Sequence, residues 1–343
     1  MPKRPVRVIN ERMVKGERMM RNALVGLVLL AAPAAPAQEQ EPRFAWPVAC
    51  TLGKDCFIQN YVDADPSPGR ADFRCGPLTY DGHDGTDIRL PDLATMQRGV
   101  DVLASADGTV LRVRDGQPDV SVNERGKDAI KGIEAGNAAI IEIGNGWQTL
   151  YAHMKRGSLK VKPGDVVKAG QPLGQIGLSG DTEFPHLHFS VLKGEQRIDP
   201  FTDEPPGAGC TATGHSMWAT DVPYIQTGLL IAGFATGPAD ANAARLGRYA
   251  NLKGDRQAPL VMWAEAFGVQ AGDLQTITIA APDGTLAFQD QNPLPSSKIN
   301  WFAFAGKRAP KDGGWKPGTY IGRYRLERNG AMLIDVERKL EIP

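Results

Sequence analysis

Four of the five histidines in this 343-residue chain fall in three short motifs. The motifs are His83-Asp84-Gly85-Thr86-Asp87, Tyr151-Ala152-His153 and His186-Leu187-His188. Neutral imidazole is the commonest metal ligand in proteins and exchanges protons near neutral pH. Three nitrogen or oxygen ligands with a fourth position left to water are typical of a catalytic zinc site. The histidine pattern therefore predicts zinc-dependent hydrolysis.

The third motif predicts a strand that presents two histidines on one face. His186 and His188 alternate with apolar residues as far as Val191. Alternate residues of a strand share a face and lie about 6 to 7 Å apart. At that separation one imidazole can bind a metal while the other faces the open position.

The first motif requires a bend in the chain. In a straight strand His83 and Asp87 would lie about 13 Å apart, too far to share one ion. Gly82 and Gly85 permit a turn, because glycine adopts conformations closed to other residues. The sequence contains no His-Glu-x-x-His motif, which excludes the helix-based zinc proteases.

Taken together, the motifs resemble those of the lysostaphin-type (LytM) zinc endopeptidases, which cut peptide cross-bridges of bacterial peptidoglycan. The resemblance covers about residues 80–200 and includes Ala106–Val110, Lys162–Gln171 and Gly177–Gly180. Gly180–Pro185 departs from the family, which usually has a Thr-Gly pair before this proline. We expect the departure to affect cleft shape and substrate choice, and not zinc binding.

The resemblance implies a role for each motif residue. It assigns one Zn²⁺ per chain to His83, Asp87 and His188. It places His153 and His186 as catalytic residues over the water molecule that attacks the substrate. Because all five positions are intact, the favoured function is an exported zinc metalloendopeptidase that hydrolyses peptidoglycan stem or cross-bridge peptides. The alternative is a non-catalytic LytM-type module that binds murein or activates an amidase.

The amino-terminal residues predict export. Basic residues precede the apolar run 23–32, which is followed by the cleavage motif Ala35-Pro36-Ala37. The run is shorter than the roughly 20 residues of a transmembrane helix. Residues 1–37 are therefore expected to be a signal peptide, and the mature protein to lie in the periplasm or outside the cell without a membrane span.

The charge balance argues against two classes of partner. The chain carries 39 basic and 39 acidic residues, so no overall field attracts nucleic acid or an anionic membrane. Peptidoglycan peptides are the expected substrate, and the sequence identifies no regulatory protein partner.

The four cysteines form an even set, as expected of disulfides in an exported protein. Three pairings are possible. We favour Cys50 with Cys56, a short local loop, and Cys75 with Cys210, a long closure around one domain. A zinc site made of all four is the less favoured alternative, because the sequence has no Cys-x-x-Cys.

The remaining pattern predicts an all-β protein of two domains. Residues 44–210 alternate short β-branched runs with glycine-rich turns, which indicates a LytM-type β-rich peptidase domain. Residues 117–136 are polar without a clear period and predict a surface insertion beside the site. After a proline- and glycine-rich linker at 202–214, near-regular strands in residues 217–343 predict an Ig-like β-sandwich accessory domain.

Six strands are expected in the second domain: Leu229–Ala235, Leu260–Val269, Leu274–Ala280, Ile299–Ala305, Thr319–Leu326 and Met332–Leu340. In the fifth of these, alternation puts Tyr320 and Tyr324 on one face and Arg323 and Arg325 on the other, as in a half-solvated strand. The aromatic residues of this domain are expected in its core, with a sugar-stacking surface as the alternative.

Overall fold

The computed structural model describes residues 41–210 and 214–343. Contacts group Glu41–Pro343 into one unit. The expected signal peptide, residues 1–37, lies outside the described residues. Within the described ranges, no helix is long and apolar enough to cross a membrane.

The chain is almost entirely β, as the sequence predicts. The strands of the first half are β1 (Phe57–Asn60), β2 (Thr86–Arg89), β3 (Asp101–Leu103), β4 (Gly108–Arg114), β5 (Asn137–Gly144), β6 (Trp147–Met154), β7 (Val166–Val167), β8 (Pro172–Gln175), β9 (His186–Lys193) and β10 (Gln196–Ile198). Those of the second half are β11 (Gly228–Ala235), β12 (Leu260–Val269), β13 (Leu274–Ala280), β14 (Leu286–Pro293), β15 (Lys298–Lys307), β16 (Gly318–Arg328) and β17 (Ala331–Ile342). The short helices are α1 (Leu93–Arg98), α2 (Val122–Arg125) and α3 (Ala241–Arg245), with a 3-10 turn at Lys127–Ile130.

The main sheet of the first half brings the histidine motifs onto neighbouring strands. Its order is β1-β2-β9-β6-β5-β4-β7, with β10 beside β9, and β3 pairs with β8 separately. All of these pairings are antiparallel. The apolar residues Leu187 and Phe189 of β9 are fully buried, so the alternating histidines face the other side of the sheet. The layout therefore places the three motifs on β2, β9 and β6, which are adjacent.

The second half is a sandwich of two antiparallel sheets. One sheet has the order β11-β12-β15 and the other β14-β13-β16-β17. Buried residues from both sheets, among them Met262, Ile277 and Tyr324, form one core cluster. On β16 the aromatic face is buried and Arg323 is only partly exposed, as the alternation predicts. Most aromatic side chains of this half are buried or half-buried, whereas Phe304 is exposed.

The six strands expected in the sandwich are all present, and a seventh, β14, was not predicted. Residues 289–292 of this strand are all polar, and most of its residues are exposed. A strand of this kind is held by backbone pairing with β13 and gives no hydrophobic alternation to detect.

The two halves of the chain share a hydrophobic core. Phe57 of β1 packs against Phe267 of β12, with ring centroids 5.5 Å apart. Leu230 and Trp263 of the second half belong to the same buried cluster as the core of the main sheet. The division into domains at 44–210 and 217–343 stays a prediction, and across this boundary the packing is continuous.

Two disulfides are formed, with the pairing that the sequence favours. Cys50 joins Cys56, and Cys75 joins Cys210. All four sulfur atoms are therefore used in disulfides, which leaves no thiolate for the alternative zinc site. The second disulfide joins the loop before His83 to the end of the first half.

Candidate metal and catalytic site

The strand register brings the first and third histidine motifs together. On adjacent antiparallel strands, Asp87 of β2 lies directly opposite His188 of β9. His83 precedes β2 on a turn in which Gly82 has φ 76°. This left-handed conformation favours glycine. The expected bend therefore exists, and it returns His83 to the face that carries Asp87 and His188.

Three ligand atoms converge at this point. His83 Nε2 lies 3.2 Å from Asp87 Oδ1 and 3.3 Å from His188 Nδ1. His188 Nδ1 lies 2.9 Å from Asp87 Oδ1. The three residues form a group that could hold a metal ion.

A backbone carbonyl group fixes the orientation of the His83 imidazole. Its Nδ1 lies 2.7 Å from the backbone carbonyl oxygen of Tyr61, so Nδ1–H donates there and Nε2 keeps its lone pair. The buried Asp63 supports the turn, because its Oδ2 accepts a hydrogen bond from the backbone N–H of Gly82 and its own N–H donates to the carbonyl of His83. The ring is therefore placed with Nε2 toward the other two ligand atoms.

His188 and Asp87 have supporting partners as well. His188 Nε2 lies 2.9 Å from Ser190 Oγ and 3.4 Å from Asp84 Oδ1. These acceptors suit an N–H at Nε2 and leave Nδ1 for the metal. Asp87 Oδ2 accepts a hydrogen bond of 2.8 Å from Asn60 Nδ2, which leaves Oδ1 for the metal.

The donor set fits zinc. Zinc binds histidine nitrogen and carboxylate oxygen at about 2.0 to 2.2 Å, and tetrahedral ligands at that length lie about 3.3 Å from each other. The separations of 2.9 to 3.3 Å match this value. Each ligand also has the outer hydrogen bond that metal-binding side chains usually make.

The electrostatics of the cluster favour a cation. Burial raises the pKa of Asp87, but the neighbouring His83 and His186 outweigh burial and hold that pKa well below its usual range. Burial lowers the pKa of His188, but the carboxylates of Asp84 and Asp87 outweigh it and raise the pKa to about 9. The cluster thus binds positive charge strongly, and metal ions and protons compete for it.

His153 approaches from β6 with an unusual backbone conformation. Its φ is 60°, a region that non-glycine residues seldom adopt. Its N–H donates to the carbonyl of Ala135 in the polar insertion, and its Nδ1 lies 2.8 Å from the carbonyl oxygen of Ser179. Burial, and then the neighbouring imidazoles of His186 and His188, hold the pKa of His153 well below its usual value. The ring is therefore neutral at pH 7, with Nε2 free to accept a proton.

His186 is held in the same way on the neighbouring strand. Its Nδ1 lies 3.0 Å from the carbonyl oxygen of Phe184 and 2.9 Å from Thr182 Oγ1. Its Nε2 lies 3.5 Å from Asp87 Oδ1. The rings of His153 and His186 have centroids 4.6 Å apart. Two imidazoles thus stand beside the three ligand atoms without belonging to that set.

The site opens into a cleft of about 430 Å³. Its wall includes Lys127 from the polar insertion, so that segment does lie beside the histidines. It also includes Ile299 and Asn300 from β15 of the sandwich. Tyr80, half exposed at the rim, lies against the ring of His83, with centroids 4.5 Å apart and the ring planes tilted by 39°.

Sequence reasoning missed the supporting residues. Two of them could have been found from the sequence, because the alternation of β9 places Ser190 on the histidine face and Asp84 lies inside the first motif. No sequence pattern indicates Asn60 or Asn300, because only the packing of distant strands brings them to the site.

Part of the chain is similar to a known protein family. Residues 81–200 match Peptidase family M23. The peptidoglycan DD-endopeptidase ShyB of Vibrio cholerae is 32% identical over 124 residues, which are 36% of this chain and 24% of that protein. The cell division protein DipM of Caulobacter vibrioides is 26% identical over 171 residues, 48% of this chain and 21% of that protein. The chain spans less than a third of the length of these relatives.

Among solved structures, a zinc-containing peptidase from Vibrio cholerae is 28% identical, with a TM-score of 0.32 over 46% of this chain and 39% of that chain. The catalytic domain of the prophage-encoded M23 protein EnpA from Enterococcus faecalis is 26% identical, with a TM-score of 0.30 over 47% of this chain and 95% of that chain.

Proposed function

We propose that this protein, whose residues 81–200 match Peptidase family M23, is an exported zinc metalloendopeptidase that hydrolyses stem or cross-bridge peptides of peptidoglycan. The observation that carries the proposal is the convergence of His83, Asp87 and His188, with two further histidines beside them. The match to Peptidase family M23 and the similarity to a peptidoglycan DD-endopeptidase support the reaction and the substrate class.

In this proposal His83, Asp87 and His188 hold one zinc ion. When bound, zinc polarises the scissile carbonyl and makes a water molecule more acidic. Two neutral imidazoles and one carboxylate leave the ligand set with a single negative charge. The outer hydrogen bonds that His83 and His188 donate to Tyr61 O and Ser190 Oγ, and that Asp87 accepts from Asn60, keep the three ligand atoms in place before the metal binds.

His153 and His186 carry the proton transfers. Both donate through Nδ1 to backbone carbonyl oxygens, so both present Nε2 as a proton acceptor. One of them takes a proton from the attacking water as its oxygen bonds to the peptide carbon. The same proton then passes to the leaving nitrogen as the carbon–nitrogen bond breaks.

Export is proposed on two grounds. The amino-terminal segment has the pattern of a signal peptide. Two disulfides join all four cysteines, and such bonds persist in oxidising compartments such as the periplasm.

The test uses purified protein beginning at residue 38. We expect about one zinc per chain by mass spectrometry of metals, and release of products from cross-linked muropeptides by liquid chromatography with mass spectrometry. Stoichiometric zinc without digestion of any murein would reject the enzyme and leave the murein-binding module.

Two variants separate the proposed roles. His188→Ala is expected to lose both zinc and activity, because it removes a ligand. His186→Ala is expected to keep zinc and lose turnover, because its ring lies outside the ligand set. Loss of zinc in His186→Ala would show that the ligand assignment is wrong.

A further inference from the structure

The sandwich contributes directly to the cleft that holds the histidines. Ile299 and Asn300 of β15 line the same cleft as His153 and His186. Asn300 also reaches the strand that carries Asp87, because its Oδ1 lies 3.2 Å from Nη1 of Arg89 on β2. One wall of the cleft therefore comes from the half of the chain outside residues 81–200.

Arg89 determines which way two side-chain amides point. Its Nη1 donates to Asn300 Oδ1 and, at 2.5 Å, to Gln59 Oε1. A guanidinium group has donors and no acceptor, so each amide must turn its oxygen toward Arg89. The NH₂ group of each amide, bonded to the same carbon as that oxygen, therefore makes no hydrogen bond to Arg89. Both Gln59 and Asn300 line the cleft, which makes these NH₂ groups available to a molecule bound there.

Arg89 is itself held firmly. Its Nη2 lies 3.3 Å from Glu265 Oε1, and both side chains are fully buried. Its guanidinium carbon lies 4.3 Å from the centre of the Phe184 ring. Glu265 Oε1 also accepts two hydrogen bonds from Arg245. Two arginines and one glutamate carry +2 and −1, so the cluster keeps a net charge of +1 and Arg89 remains a donor to both amides.

We propose that Gln59 and Asn300 form a pair of hydrogen-bond donors that binds an oxygen atom of the substrate peptide, either a backbone carbonyl or a carboxylate. Arg89 is the positioning residue of this pair. The sandwich is then part of the substrate-binding site. The inference rests on the proposed function, because it takes the peptide to be the molecule that enters the cleft.

Asn300→Asp is the decisive variant. Aspartate has the same shape and keeps an oxygen toward Arg89, so it preserves or strengthens the contact that holds the wall. It replaces the NH₂ donor with an oxygen that repels a substrate oxygen. We expect KM for a defined cross-linked muropeptide to rise about tenfold, as for loss of one hydrogen bond. The kcat, the zinc content and the thermal stability should stay close to wild type.

Two further variants complete the set. Asn251→Asp, at an exposed asparagine that does not line the cleft, is the matched control and should leave KM unchanged. Arg89→Lys keeps the charge but loses the forked geometry, so KM should rise while kcat is maintained. A fall in kcat at unchanged KM would mean that Arg89 has only a structural role, and would overturn its positioning role.

Binding measurements separate this inference from the proposed function. Titration calorimetry with the muropeptide on zinc-loaded His186→Ala protein needs no turnover, and adding Asn300→Asp should weaken binding about tenfold. This result would stand even if the wild type hydrolysed nothing. A folded Asn300→Asp protein with unchanged KM and affinity would overturn the inference. If Asn300→Asp does not fold, Asn300→Ala, which removes the NH₂ donor without adding another donor, gives the test.

The source of the oxygen is found by comparing two probes in the same titration. A tetrapeptide with a free terminal carboxylate and its amidated form are each titrated into zinc-loaded His186→Ala protein with and without Asn300→Asp. An effect of Asn300→Asp on both probes identifies a backbone carbonyl, and an effect on the free acid alone identifies a carboxylate. Absence of an effect on either probe would overturn the proposed pair.

Discussion

Arg89 and Glu265 form an ion pair in which neither side chain is exposed to solvent, and which joins β2 to the sandwich strand β12. Removing one partner of a buried pair leaves an uncompensated charge, at a cost of about 3 to 5 kcal/mol. We therefore expect Glu265→Gln to lower the free energy of unfolding by about 3 kcal/mol or more, measured by urea denaturation.

The partly exposed pair Arg323 and Asp335 provides the control for that measurement. Partly exposed ion pairs contribute about 0 to 1 kcal/mol, so Asp335→Asn should have a much smaller effect. Equal losses in the two variants would show that the buried pair does not stabilise the contact between the halves.

Gly85 determines how closely the backbone approaches a proposed zinc ligand. A Cβ atom at this position would lie 2.5 Å from His188 Nε2 and 2.8 Å from the carbonyl oxygen of Phe189. Gly85→Ala should displace the imidazole and weaken zinc binding by about 10- to 100-fold, as when an outer contact of a ligand is lost. Competition with a chromogenic chelator measures the affinity.

Gly237→Ala is the matched substitution, because among the described residues no heavy atom lies within 4 Å of the Cβ it would add. It should bind zinc as the wild type does. Unchanged zinc affinity in Gly85→Ala would mean that the His188 ring can shift without loss of the ligand geometry.

The two disulfides should differ in their contribution to stability. Cys75 and Cys210 are separated by 135 positions, and Cys50 and Cys56 by six. In the chain-entropy description a longer closed loop restricts the unfolded chain more. The Cys75→Ser/Cys210→Ser double variant is expected to lose about 5 kcal/mol, and the Cys50→Ser/Cys56→Ser variant about 2 kcal/mol.

Guanidinium denaturation of both double variants tests this order. A larger loss from the short loop would show that local strain or contacts, and not restriction of the unfolded chain, dominate the effect of these bonds.

Asp199 should make stability depend on pH. Burial raises the pKa of this carboxyl to about 7, with a contribution from Asp72, while His83 and hydrogen bonds from Phe201 and Thr202 act against it. A raised pKa means that the folded state prefers the protonated form. The stability from this preference is complete below about pH 4, the unfolded pKa, and is lost progressively as pH rises to about 7.

Asp199→Asn removes this titration. Between pH 4 and 7 the free energy of unfolding of the wild type should fall by about 1.4 kcal/mol per pH unit relative to that of the variant. Above pH 7 the difference between the two free energies should be constant. Parallel curves from pH 4 to 9 would mean that Asp199 titrates in the folded protein as it does in the unfolded chain.

The sequence predicted elements whose residues interact locally or alternate strongly. The bounds of β12 and β13 agree with the prediction because both are apolar runs between clear turns. The edge strand β14 was missed because its existence depends on pairing with β13. The histidine cluster was predictable because scarce residues with specific chemistry stand in short motifs.

The contacts that support the site could not be predicted from the sequence in this way. Asn60 reaches Asp87 through the pairing of β1 with β2, and Asn300 reaches Arg89 only because a second sheet packs against the first. Such contacts join residues far apart in the chain, and no local pattern encodes them. They exist only in the tertiary structure.

The contacts between the two halves limit which fragments of this chain can be expressed or transferred alone. They include Phe57 against Phe267 and Arg89 against Glu265. A fragment ending near residue 216 would leave an aromatic ring and an unpaired guanidinium facing water. The first half is therefore not an independent module that can be transferred alone. A fusion protein that contains the first half must also include β11, β12 and β15, or provide another surface that covers the same residues.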